Sequence, residues 1–293
     1  MRILHLDSGR EMRGGQWQAL RLIEGLAAAG VESTLLANAA GPLFSLARQR
    51  GWRVEPLGVT RTALAARRHD LVHAHDARSH TLAALAAGPP LVVSRRVAFP
   101  LQSRWKYARP LRYLAVSEFV RKVLVAGGVA PEKIDVVYDG VPLLEPAQGD
   151  SVLAPANAAD PQKGEAIARE AARLAEVEIQ FTSSLERDLH HAGLLVYVTL
   201  CEGLGSGVLL AMSAGVPAIA SNVGGLPEVV RHGENGMLAE NTPEAFAAAI
   251  RELRADRVRA RRLGAAARQT VIERFTVERM VGGTLEAYRR VLA

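Results

Sequence analysis

The chain of 293 residues is short of several things, and each shortage removes a class of function. It has one cysteine, Cys201, so no disulfide can form within the chain and a cytoplasmic setting is expected. No apolar run reaches the roughly 20 residues that cross a bilayer. The start, MRILHLDSG, lacks the apolar core and cleavage site of a secretory signal and reads as a first strand. Aromatics make up only 5% of the residues, so Ala, Leu and Val must carry most of the packing. Zinc-ligand spacing, an RNA-binding aromatic signature and a helix-turn-helix pattern are all missing, and nucleic acid is not an expected partner. The G-x-G-x-x-G spacing of a dinucleotide fingerprint is missing too.

What is present is ordinary globular material, 49% hydrophobic and 23% charged, enough for one large or two moderate domains. The net charge of +6 favours anionic partners such as phosphates or anionic lipid, although genomic base composition also raises arginine. Short apolar runs alternate with helical patterns, which implies parallel sheets covered by helices. Strands are expected near Ile3–Leu6, Ser33–Ala37, Arg53–Leu57, Leu71–His75, Leu91–Ser94, Tyr113–Val116 and Asp135–Tyr138. Five more follow near Val152–Pro155, Glu178–Thr182, Leu194–Thr199, Ala218–Ser221 and Met237–Ala239. A helix over Gln16–Ala29 has an apolar face of Leu20, Ile23, Leu26 and Ala27, and Gly30 stops it. The last helix, Val277–Leu292, is amphipathic through Met280, Leu285, Tyr288 and Leu292. The Pro- and Gly-rich stretch Pro142–Asp150 marks a domain junction.

Two loops suit an anion. Gly14 and Gly15 precede a helix, so backbone can approach a ligand and the helix end offers free amides, or they form only a turn. In CEGLGSGV, Gly203, Gly205 and Gly207 flank Leu204, and a helix starts near Ser206 with Val208 in its first turn. A diphosphate would be held by that helix end, while Glu202 accepts bonds from sugar hydroxyls; the plain alternative is a tight connection beside a solvated acid. Lys163 opens a helix against its dipole, a mild penalty that makes sense if the ammonium meets a phosphate. In DLVHAHD, alternation places His73 and His75 on one face at a strand end, for hydrogen bonding or sugar contact. No third ligand has matching spacing, so no metal is expected there. Cys201 reads as a small buried thiol rather than a nucleophile. The stretch SRRVAFPLQSRWKYARPLRYL mixes basic and aromatic residues, which suits a membrane surface, an anionic acceptor or a plain surface helix with snorkelling arginines.

Taken in order, RGGQWQALRLIEGLAAAG, DLVHAHD, LAVSEFVRKVLVAGGVAPEKIDVVYDGV, PQKGEAIAREAARL, CEGLGSGVLLAMSAGVPAIASNVGGLPEVVRHGENGMLAE and FTVERMVGGTLEAYRRVL resemble the retaining glycosyltransferases of family four. The resemblance implies the GT-B fold: α/β, with two Rossmann-like domains facing a cleft. Residues 1–142 with 277–293 would form the acceptor side, and 143–276 the nucleotide-sugar donor domain. It also implies transfer of a sugar from a nucleotide-diphosphate sugar to a glycan or lipid-linked acceptor with retention. No metal or other cofactor is expected, and the setting would be the cytoplasm or the inner face of a membrane. By that likeness Gly14 and Gly15 lie near the donor diphosphate and Lys163 holds it. Glu202 contacts the transferred sugar, backbone amides of Gly205, Ser206, Gly207 and Val208 meet the phosphates, and Gly203 and Leu204 are substrate-binding candidates in the same turn. His75 and Arg96 lie beside the sugar.

The departures are specific. Leu210 stands where the family has a second acid on the ribose. PANAADPQK offers only Asn157 or Ala158 where an arginine usually precedes the lysine. Arg96 replaces a histidine that reaches the sugar. Between Lys163 and Glu202 relatives usually fit another strand–helix unit, so the donor domain is expected to be shortened by about one. Each lost charged contact costs about 1.5–3 kcal/mol. These departures favour an alternative, a weak or inactive relative that binds a ligand or partner. Nucleotide-sugar epimerisation trails because no paired acids are present.

Overall fold

The computed structural model describes residues 1–86, 88–101, 104–156 and 160–293. Asn157 and Ala158 therefore lie outside the described residues. The chain divides into two compact units, Met1–Gly140 with Val277–Ala293, and Val141–Thr276.

The first unit carries strands β1 (Arg2–Asp7), β2 (Glu32–Ala37), β3 (Val54–Pro56), β4 (Leu71–Ala74), β5 (Leu91–Arg95), β6 (Arg112–Ala115) and β7 (Ile134–Val136). They pair in the order β3-β2-β1-β4-β5-β6-β7, every pairing parallel. Helices α1 (Gly14–Ala28), α2 (Pro42–Gln49), α3 (Val59–Ala66), α4 (Ala77–Leu85), α5 (Arg104–Tyr107) and α6 (Glu118–Ala126) fill the crossovers. Residues 3–7 of β1 are buried in unbroken succession, as a parallel strand with both faces covered requires. Asp76 caps α4 by accepting the amides of Arg78 and Ser79, and Ser117 caps α6 through Val120.

The second unit pairs β8 (Ser151–Pro155), β9 (Ile179–Thr182), β10 (Ala192–Tyr197), β11 (Ala218–Ser221) and β12 (Met237–Ala239) in the parallel order β12-β11-β10-β8-β9. Helices α7 (Glu165–Ala175), α8 (Leu185–Asp188), α9 (Ser206–Ser213), α10 (Leu226–Val229), α11 (Pro243–Ala255) and α12 (Arg257–Arg274) belong to it. Its core gathers Val152, Ala171, Val196, Ile219, Phe246 and Ile250. The twelve expected strands are all found, and among the described residues this sheet has five strands to the first sheet's seven.

Helix α13 (Val277–Leu292) returns to the first unit and packs with α1 over Ile3, Leu71, Val92 and Leu114. Its buried residues are Met280, Val281, Thr284, Ala287 and Tyr288. Two expectations shift here: Leu285 is only partly buried, and Leu292 is exposed because the stripe turns away in the final turn. In α1, Ala27 is likewise exposed while Leu20, Ile23 and Leu26 are buried.

The fully buried Tyr288 hydroxyl lies 2.6 Å from His73 Nδ1, tying α13 to β4. Tyr288→Phe keeps the ring and removes this bond, leaving a buried nitrogen unpaired. Stability should fall by about 1–3 kcal/mol, read as a lower urea midpoint with an unchanged slope.

Candidate functional site

In a parallel sheet, ligands sit outside the carboxyl ends of the strands where the order reverses. In the second unit that point lies between β8 and β10. After β8 the chain makes a 3-10 turn over Pro161–Lys163, and after β10 it runs through Cys201 and Glu202 to α9. Lys163 does not open a helix, as the sequence suggests. Gly164 separates it from α7, whose first residue is Glu165. The two loops are joined by backbone: the Leu200 amide donates to the Gln162 carbonyl at 2.7 Å. A side-chain lock supports the second loop, with Ser221 Oγ accepting from the Thr199 amide at 2.9 Å and Asn241 donating to the Thr199 carbonyl at 3.0 Å.

This frame brings Lys163 and Glu202 together, with Lys163 Nζ 3.2 Å from Glu202 Oε2. The Tyr197 hydroxyl donates to the same oxygen at 2.8 Å, and Glu202 Oε1 accepts the Gly203 amide at 3.1 Å. Burial first, then the neighbouring Glu202, pushes the Tyr197 phenol well above its ordinary range, so it stays protonated and donates. Gly224, at φ 60°, lets the following loop cross the Glu202 backbone; a Cβ there would sit 2.0 Å from the Glu202 carbonyl oxygen. The Gly225 amide then donates to that carbonyl at 3.2 Å.

Helix α9 begins with Gly205 as N-cap at φ 102°, where an added Cβ would also meet Leu226 at 2.5 Å. The amides of Ser206, Gly207 and Val208 belong to its first turn and have no intrahelical acceptor. Leu204 and Val208 are buried, so they could serve a ligand only through backbone. Leu210 is buried too. Cys201 is partly buried, not fully as expected, and burial, then Glu202, raises its thiol above the ordinary value. It is therefore poorly suited to act as a thiolate nucleophile.

In the first unit the reversal lies between β1 and β4. Asp76 accepts from the Ser8 amide at 2.6 Å and from the Ser8 hydroxyl at 2.7 Å, joining the two loops. Gly14 and Gly15 do not precede a helix; they are its first two residues. Gln16 donates from Nε2 to Asp7 at 3.1 Å, and burial pushes the Asp7 carboxyl up to about 6. Arg96 pairs with Asp139 at 3.0 Å and donates toward His75 Nδ1 at 3.4 Å. Arg95 donates to the Tyr107 hydroxyl and the Phe99 carbonyl, and Arg112 pairs with Asp135. These arginines are held by protein groups rather than snorkelling.

A third imidazole joins the expected pair. His5 on β1 lies in register with His73 on β4, and His5, His73 and His75 bring ring nitrogens within 4.8 Å of one another. Expecting no third ligand was wrong, because the spacing that matters runs across strands. Five of the six ring nitrogens are engaged, His5 Nδ1 with His75 Nε2 at 3.0 Å, His75 Nδ1 with Arg96, and His73 with Tyr288 and with Ser94 Oγ at 2.8 Å, while His5 Nε2 is buried without a partner among the described residues. With the Arg96 guanidinium beside them, the three read as a hydrogen-bonded core network.

Comparison with known proteins bears on both units. The profile described as Glycosyltransferase Family 4 matches residues 12–143, and that described as Glycosyl transferases group 1 matches residues 120–256. Anabaena HepE in complex with UDP and glucose superposes with a TM-score of 0.87 at 18% identity, covering 98% of this chain and 99% of that one. Sucrose-phosphate synthase from Thermosynechococcus elongatus gives 0.78 at 17% identity, covering 99% and 98%. The chain has the GT-B glycosyltransferase fold. In sequence it is 39% identical over 119 residues to the alpha-maltose-1-phosphate synthase of Mycolicibacterium smegmatis, 38% of this chain and 31% of the relative. It is also 39% identical over 106 residues to a GDP-mannose-dependent alpha-(1-6)-phosphatidylinositol monomannoside mannosyltransferase of Mycobacterium tuberculosis, 32% and 28%. The matches thus span less than a third of these curated relatives.

On this GT-B frame, Tyr197, His5, Asp139, Asp7 and Gln16 are among the polar groups that sequence reasoning missed. A phenol at the last position of a strand, five residues before an acid, was the available signal for the first. Among the described residues no helix is long and apolar enough to cross a membrane.

The imidazole network sets a pH dependence. Burial holds His5 down at about 3 and keeps His73 and His75 well below their ordinary value, so all three are neutral in the native state at neutral pH. As pH falls below about 6.5, the unfolded chain takes up protons that the native state refuses, and stability is lost. Asp7 works the other way between 3.8 and about 6, because there the native state keeps the extra proton. Burial also holds His80 down at about 4, so urea unfolding should show stability falling from pH 7 to pH 5 by up to about 4 kcal/mol per unit, and His5→Leu should make that fall shallower by about 1.4. A pH-independent stability would refute this account of the network.

Proposed function

We propose that the chain is a glycosyltransferase that moves a sugar from a nucleoside-diphosphate donor to a glycan or lipid-linked acceptor with retention of anomeric configuration. The second unit holds the donor and the first serves the acceptor. The observation that carries the reading is the meeting of Lys163 and Glu202 at the reversal point of the second sheet, beside the open first turn of α9. The bond to be broken joins the anomeric carbon to a phosphate oxygen, so negative charge grows on the departing diphosphate. An ammonium and preorganised amides are the groups that stabilise such charge. Glu202 accepts hydrogen bonds from the sugar hydroxyls. Because Lys163 and these amides meet the phosphate charge, the reading includes no resident metal.

The HepE complex with UDP and glucose supports a nucleotide-sugar donor, and the relative named as a phosphatidylinositol monomannoside mannosyltransferase supports a lipid-linked acceptor, in keeping with a role in cell-envelope glycan synthesis. The chain would then work in the cytoplasm or against the inner face of an anionic membrane. Leu210 favours a second reading, a catalytically weak or inactive relative that binds a ligand or a protein partner.

Calorimetric titration with UDP, GDP and ADP and their glucose or mannose conjugates separates the readings. Under the first, at least one donor binds and its sugar is transferred. Lys163→Ala should then weaken nucleoside-diphosphate binding at least about tenfold, the scale of a charge-assisted hydrogen bond, and Glu202→Ala should abolish transfer. Binding without transfer selects the second reading, and no donor binding by the folded protein defeats the enzyme reading.

A further inference from the structure

The Glu202 carboxylate is shared unevenly. Oε2 takes both Lys163 at 3.2 Å and Tyr197 at 2.8 Å, while among the described residues Oε1 takes only the Gly203 amide. Without donor, the one ammonium of this cluster is therefore spent on the acid beside it. A diphosphate carries more negative charge than a carboxylate and draws Lys163 away. Glu202, whose side chain is only 16% exposed, must then stay aimed at the sugar without its cation.

Resting on the donor reading above, we infer that Tyr197 is the positioning residue that keeps the Glu202 carboxylate in place once Lys163 has moved to the diphosphate. Its geometry suits that task. Tyr197 closes β10 and is 9% exposed, and its ring packs under the first turn of α9, where a Cβ on Gly207 would meet Cε2 at 3.0 Å. With the ring wedged there, the hydroxyl cannot follow the acid elsewhere. The phenol is also neutral, so it holds the carboxylate without competing for the phosphate. The Gly203 amide alone would leave Oε2 unbonded and the side chain free to follow the ammonium. Lys163 thus exchanges partners, while Tyr197 and Gly203 stay.

The test is a double-mutant cycle on whichever donor binds, read by calorimetry and steady-state kinetics. Tyr197→Phe keeps the packed ring. It should leave affinity for the bare nucleoside diphosphate unchanged, reduce the extra affinity that the sugar confers, and lower kcat about ten- to hundredfold. On a Glu202→Gln background the same change should have little further effect on the sugar increment. Wild-type turnover by Tyr197→Phe would overturn the inference, as would an equal loss on both backgrounds or a loss of affinity for the bare diphosphate. If wild-type protein binds no donor, the donor reading fails and takes this inference with it. If donor binds and Tyr197→Phe is silent, only the inference fails.

Discussion

Parallel strand order is the constraint from which the chemistry of each unit follows. Where two adjacent strands send their chains away in opposite directions, the loops at their carboxyl ends cannot cover the gap between them. In the first unit that gap falls between β1 and β4, and in the second between β8 and β10. Asp7, Asp76 and the imidazole network with Arg96 gather at the first, and Lys163 and Glu202 at the second, while Arg112 and Asp135 pair across β6 and β7 away from both. Each unit then joins its pair of loops with hydrogen bonds: Asp76 to Ser8 in one, and Leu200 to Gln162 in the other.

The two gaps treat charge differently. In the first, Arg96 is neutralised by Asp139, and the three imidazoles behind it are kept uncharged by burial. That network resembles a rigid floor more than a binding surface, and its cost appears only when protons become available to the unfolded chain. In the second, the pair of opposite charges is partly exposed, with 31% of the Lys163 side chain accessible. Partial exposure keeps the ion pair weak enough to open. A fully buried pair would resist losing one partner far more strongly.

Much of this was legible in the sequence, for reasons that can be named. Alternating apolar runs and helical periods place all twelve strands, because parallel strands covered on both faces leave a plain hydrophobic signature. Lys163, Glu202 and the glycine turn stand out because acids, lysines and glycines are unusual beside buried strands. What escaped is contact across the sheet. His5 is one histidine in a first strand until the parallel register sets it beside His73. Tyr197 resembles core until its hydroxyl meets a carboxylate five residues ahead. The start of α7 was misread because Gly164 breaks the helical pattern immediately after Lys163.

The buried setting of Leu210 gives the departure from the family pattern a physical sense. Positions 208–213 of α9 are buried in succession, Leu210 among them. A carboxylate there would lose solvation unless a ribose hydroxyl or a cation met it, a cost of several kcal/mol for an unpaired acid. Leucine needs no such partner and packs as the other residues of the helix do. The first turn of α9 stays polar through its amides whatever stands at 210, because those amides come from backbone and not from side chains. Under the proposed donor reading, leucine in place of an acid at 210 would fall on the nucleoside half of the site, while the groups that would meet phosphate, Lys163 and the helix end, are untouched by it.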